Sequence, residues 1–251
     1  MKTPHYWKMR DRMGEERRLQ ARIVADAAFA PLLGSVRSTH SETRVAITFD
    51  DGPDAEVTPK LLARLEQLDA RCTFFLLATQ GRRHPDLVRA VRDYGHEIAL
   101  HGDDHRRITE MQYSDAIRYL RNAREQLEQL AGAPIRHYRP PYGAQSVRSY
   151  LAAKRAGLDV VVWSADAGDW NDRMVEDVAA DGLRSLKPGG ILLLHERLEP
   201  DPGRGAPKTT FNRVRLAELV VSGARRRGWE PVTVGDAVRQ YGALRTAWFR
   251  P

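Results

Sequence analysis

From residue 45 onward, short unbroken apolar runs alternate with longer stretches of helical period. Strands are predicted at Val45–Phe49, Cys72–Ala78, Glu97–Leu100, His137–Arg139, Leu158–Trp163, Ile191–Leu194 and Glu230–Val234. Helices are predicted between them, at Thr58–Leu68, Pro85–Tyr94, Ser114–Leu130, Val147–Ala156, Val175–Leu186 and Arg213–Arg227. Most of these strands are continuously apolar rather than alternating, the pattern of parallel strands buried on both faces. Repeated strand–helix units leave two α/β architectures, a closed (β/α) barrel or a doubly wound open sheet. A length of 251 residues suits one such barrel. Residues 1–43 are set apart as a basic helical extension, and residues 44–251 form the α/β domain.

Composition excludes several classes. No run of about 18 apolar residues exists, which argues against a transmembrane helix. The apolar stretch Ile23–Leu33 is broken by Asp26 and Pro31 and follows a densely charged segment, unlike a secretory signal. A cytoplasmic protein is expected. The single cysteine, Cys72, lies in an apolar run and reads as an inert core thiol. Net charge is +7, and residues 1–44 hold nine Lys or Arg against five Asp or Glu. The interleaved signs there read as a solvated helix. No aromatic residues are interleaved to stack bases, so no nucleic-acid partner is expected.

Reactive groups in parallel α/β folds gather at the carboxyl ends of the strands. Five predicted strand ends here carry ionisable residues. Val45–Phe49 runs into Asp50 and Asp51, then a Gly-Pro breaker. A turn needs one Asp, so the second requires another explanation. Neighbouring strand residues point to opposite faces, so one Asp can bind a cation while the other handles a proton. The next strand ends carry His101-Gly-Asp-Asp-His105, Arg139-Pro-Pro-Tyr142, Asp166-Ala-Gly-Asp169-Trp170 and His195-Glu196. His101 and His105 are spaced to share one face of a helical turn. With Asp51 they make three ligands and leave a position open, the pattern of a catalytic metal site. Such donors fit Zn²⁺, and also Co²⁺, Ni²⁺ or Mn²⁺. Asp103 and Asp104 are either partners of the imidazoles or solvated charges. His195 suits a general acid, supported by Asp166 or Asp169. Arg139 is the natural partner of Asp50. Trp163 and Trp170 are expected to wall the cavity.

These five ordered blocks resemble the NodB-homology polysaccharide deacetylases, the fourth family of carbohydrate esterases. The likeness covers about residues 44–235 and comes nearest to the intracellular branch acting on chitin oligosaccharides. The resemblance implies a distorted (β/α) barrel of about seven strands. It implies that Asp50 is the catalytic base, that Asp51, His101 and His105 bind the metal, and that Arg139 holds Asp50. It implies that the Tyr142 N–H serves the oxyanion and that His195 is the acid. Tyr142, Trp170 and Pro141 are expected to touch substrate. Two departures stand out. Gly102 occupies a position that usually carries Ser or Thr, whose hydroxyl braces the loop. Glu196 stands where Asp is more usual.

The expected activity is metal-dependent hydrolysis of an N-acyl group, most simply N-acetyl, on an amino sugar or small carbohydrate. Two alternatives are a deacylase or deformylase of a lipid-linked sugar at the inner membrane face, with peripheral membrane contact, and a catalytically idle sugar-binding module. A monomer is expected. The Pro/Gly-rich loop 196–210 is expected to border the substrate cleft.

Overall fold

The computed structural model describes residues 28–200 and 209–250. Strand β2 (Arg44–Asp50) is its centre, buried along nearly its whole length. It pairs in parallel with β3 (Thr73–Leu77) on one edge and β8 (Ile191–His195) on the other. Next to β3 lie β4 (Glu97–Gly102), β5 (His137–Tyr138) and β6 (Asp159–Val160), and next to β8 lies β7 (Ala165–Asp166). These seven strands are parallel and form a curled half-barrel. A further strand, β9 (Glu230–Val232), pairs with the first residues of β2, ahead of β3.

The two ends of this sheet, β6 and β7, are separated only by residues 161–164. Strand β1 (Ser35–Thr39) lies in the seam between them. Its Val36 carbonyl accepts from the Val162 N–H at 2.8 Å, and bridges join Val36 to Val161 and Ser38 to Gly190. β1 also pairs antiparallel with β10 (Ala243–Thr246).

Most predicted elements form with ends shifted by a residue or two. The strand expected over Leu158–Trp163 shrinks to β6, because the chain must leave one end of the sheet and join the other as β7. The helical extension expected over 1–43 is corrected in part. Residues 28–33 are helical but Ser35–Thr39 is a strand, and residues 1–27 lie outside the described residues. The helices Ala78–Arg83 and Val234–Tyr241 carry no strong sequence signal and were not expected.

Helices pack their apolar faces on the sheet. Val57–Gln67 buries Leu61, Leu62 and Leu65, while Leu68 becomes its half-buried C-cap. Cys72 is wholly buried in this core, and burial pushes its thiol up to about 12, as an inert thiol requires. Among the described residues no helix is long and apolar enough to cross a membrane.

Candidate active site

The carboxyl ends of β2, β4 and β8 converge on one cavity of about 640 Å³. Strand register does part of the placement, since Asp50 of β2 sits directly beside His195 of β8. The chain then turns sharply. Asp51 has φ +73, a left-handed conformation that Asp tolerates better than most residues. This turn separates two adjacent carboxylates, and both are almost fully buried.

Asp51 meets the two histidines. Its Oδ1 lies 3.3 Å from His101 Nε2 and 3.4 Å from His105 Nε2. Ligands bonded to one tetrahedral Zn²⁺ at about 2.0–2.1 Å stand about 3.3–3.4 Å apart, so these spacings fit a shared cation. Oδ1 is buried without a well-formed hydrogen bond, as an atom meant for a cation would be. The other oxygen, Oδ2, accepts the Glu199 N–H at 2.9 Å. Burial pushes the Asp51 carboxyl up, but the surrounding imidazoles of His101, His105 and His195 outweigh it and hold the group well below the usual range.

The histidines do not share a helical turn, as their spacing suggests. His101 is the last residue but one of β4, and His105 sits in the loop after it. Gly102 makes the turn at φ +120, where a Cβ would lie 2.8 Å from the Asp104 carbonyl. The Tyr119 hydroxyl braces the loop, accepting the Asp103 and Asp104 N–H groups at 2.9 Å each. Asp103 pairs with Arg82, and Asp104 with Arg106, so both are loop charges rather than supports for the imidazoles. The Arg139 carbonyl orients His101 instead, 2.8 Å from Nδ1.

Arg139 is entirely buried. Its Nη1 donates to Asp50 Oδ1 at 2.6 Å and to the Thr48 hydroxyl at 2.7 Å, and Phe75 stacks 3.9 Å from its guanidinium carbon. The ion pair fixes Asp50 with Oδ2 3.7 Å from His101 Nε2. Asp50 thereby stands beside the Asp51-His101-His105 group.

His195 is held from the far side. Its Nδ1 lies 2.8 Å from Asp169 Oδ1, and its own N–H donates to Asp169 Oδ2 at 2.8 Å. Asp169 is fully buried, whereas Asp166 is exposed at the cavity wall. Of the two, it is Asp169 that touches His195. Arg213, which sequence reasoning missed, donates to Asp169 Oδ2 at 3.0 Å and to the His195 carbonyl at 2.9 Å. Burial alone would lower the His195 pKa, but Asp169, and then Asp51 and Asp50, raise it to about 9. Asp169 is held below its ordinary value despite burial, chiefly by His195 and then Arg213.

Tyr142, Trp163 and Trp170 line the cavity, and so do Leu198 and Glu199 at the start of the loop 196–210. Pro140 lines it, and Pro141, also buried, is not among the lining residues. Tyr142 adopts φ 59 in a short 3₁₀ turn and packs its ring, tilted by 59°, against His105 with ring centres 4.3 Å apart. Arg250 also reaches this wall, through the backbone bridge between Gln145 and Arg250, and nothing in the sequence pattern marks it.

A curled parallel half-barrel with an Asp-His-His group at its carboxyl end is an arrangement that could hold one metal ion in a reactive cleft. A family model described as polysaccharide deacetylase matches residues 37–161. A chitooligosaccharide deacetylase of Azorhizobium caulinodans is 33% identical over 168 residues, covering 66% of this chain and 80% of the relative. A peptidoglycan-N-acetylglucosamine deacetylase of Bacillus cereus is 32% identical over 202 residues, covering 80% and 90%. A solved peptidoglycan N-acetylglucosamine deacetylase, in complex with an N-oxidanyl-benzamide, superposes with TM-score 0.71 at 27% identity, covering 86% of this chain and 94% of its own. The chain belongs to the polysaccharide deacetylase family and is a carbohydrate N-deacetylase. The family is metal-dependent, and Asp51, His101 and His105 could hold the ion.

Proposed function

We propose that this chain removes the N-acetyl group from an N-acetylglucosamine-containing saccharide, releasing acetate and a free amine. The placement of Asp50 and His195 around the Asp51-His101-His105 group carries the reading. Asp51, His101 and His105 would hold one divalent cation, with Zn²⁺ the best fit to the spacing. When bound, the cation lowers the pKa of a water toward neutrality and polarises the amide carbonyl. Asp50, held in place by its ion pair with Arg139, accepts the proton of the attacking water. The Tyr142 N–H donates to the oxyanion as charge develops. His195 carries a proton at neutral pH and delivers it to the departing nitrogen, without which the amine is a poor leaving group. Trp163 and Trp170 give the sugar apolar faces to stack on. Residues 44–251, with β1 in their seam, form the catalytic domain. The lipid-linked and idle alternatives are not favoured, since the relatives are named as deacetylases of chitooligosaccharides and peptidoglycan and the ionisable set is complete.

Protein stripped with chelator is expected to release no acetate from N-acetylglucosamine oligomers above background. One equivalent of Zn²⁺ should restore release. Release that persists without metal, or failure on every N-acetylated sugar, would contradict the reading.

Replacing Asp169 by Asn tests the acid. Without the Asp169 charge, burial dominates and the His195 pKa falls toward or below its ordinary 6.5. At pH 7.5 kcat is expected to drop by about 10²–10⁴-fold, the range for a lost general acid. The alkaline limb of the pH–kcat profile should move to lower pH. In the wild type the raised pKa also stabilises the fold, fully below about pH 6.5, and this is lost as pH rises through about 9. An unshifted profile would remove Asp169 from this role.

A further inference from the structure

Glu196 follows His195 and is completely buried, yet no step above uses it. Its N–H donates to the Asp50 carbonyl at 3.3 Å. Its Oε2 accepts from the Thr58 hydroxyl, which itself accepts the Asp54 N–H at 2.8 Å. One residue thus grips both ends of the segment from Asp50 to Asp54. The other carboxyl oxygen, Oε1, lies under Gly52. A Cβ built on Gly52 would stand 1.4 Å from Oε1, 2.1 Å from Cδ and 2.8 Å from Cγ. Gly52 is not among the residues with positive φ, so glycine is required there by space rather than by backbone conformation. Glu199, three residues further on, places its N–H on Asp51 Oδ2.

We propose that Glu196 is a positioning residue for the Asp50-Asp51 turn, a prop whose carboxyl occupies the space that Gly52 leaves. The inference rests on the reading of Asp51 as a metal ligand. Asp51 sits between two fixed points, the β2 end held by the Glu196 N–H and the Asp54 end held through Thr58. Moving either end swings Oδ1 away from His101 and His105. Burial, and then the charges of Asp54 and Asp51, push the Glu196 carboxyl up to about 8.

A double-mutant cycle tests this, with Zn²⁺ affinity measured by competition against a chromophoric chelator and the thermal midpoint of the metal-free protein measured alongside. Gly52→Ala and Glu196→Ala are each expected to weaken Zn²⁺ binding by about 10–100-fold, the scale for lost outer-shell partners. In the Glu196→Ala background Gly52→Ala should cost less than about threefold, because the atoms it strikes are gone. Glu196→Gln, the neutral isostere, should stay within about threefold of wild type in affinity and kcat. If Glu196→Ala does not fold, Thr58→Val carries the test, since it cuts the link to Asp54, and about tenfold weaker binding is expected. Additive costs in the cycle, a Glu196→Gln variant as weak as Glu196→Ala, or a lowered thermal midpoint with unchanged affinity would each overturn the proposal. Wild-type protein that binds no Zn²⁺ would instead overturn the proposed function.

Discussion

Asp50→Asn is expected to bind Zn²⁺ within a few-fold of wild type while losing about a thousand-fold in kcat, within the range for removing a general base. Asp50 lies beside the Asp51-His101-His105 group, with Oδ1 held by Arg139 and Oδ2 3.7 Å from His101 Nε2. An asparagine carbonyl can still accept from Arg139 Nη1, which Thr48 also holds. The site geometry therefore survives, but the amide cannot take a proton from water. Some stability is lost as well, because Arg139 keeps a buried charge without its counter-ion. Breaking a buried pair costs up to about 3–5 kcal/mol. Acetate-release kinetics and metal titration of the same preparation check both halves of the expectation.

Asp51→Asn is expected to fail earlier, at binding. It removes the only carboxylate of the proposed set and leaves two imidazoles. Zn²⁺ affinity should fall by more than about 100-fold, beyond what losing an outer-shell partner costs. Acetate release should fall with it. The fold should not change, since Asn is as well suited as Asp to the φ of +73 at this turn. The Asn side chain can also still accept the Glu199 N–H. A lowered affinity with an unchanged circular dichroism spectrum would separate ligand loss from unfolding.

The strands that carry the site were legible because each apolar run ends abruptly in charge, as β2 does at Asp50-Asp51 and β8 at His195. Periodicity captured the helices for the same reason, since their apolar stripes pack on the sheet. Spacing was a poorer guide to conformation. His101 and His105 do converge, but across a strand end and a glycine turn, which no helical period describes. Asp166 and Asp169 sit in one short segment, and only the fold shows which of them reaches His195. Arg213 lies far along the chain from the groups it serves, and nothing in the sequence pattern places Glu196 in the packing under Gly52. β1 is short and carries Ser, Arg and Thr, so its place in the seam of the sheet leaves no apolar pattern.

The measurement that bears most directly on the division of labour between the two adjacent carboxylates is one Zn²⁺ titration. It compares metal-stripped wild type, Asp50→Asn and Asp51→Asn, with acetate release followed in each sample. One ion per chain is expected for wild type and Asp50→Asn, with turnover in wild type alone, and no binding in that range for Asp51→Asn. Wild-type affinity in Asp51→Asn, or wild-type turnover in Asp50→Asn, would contradict it.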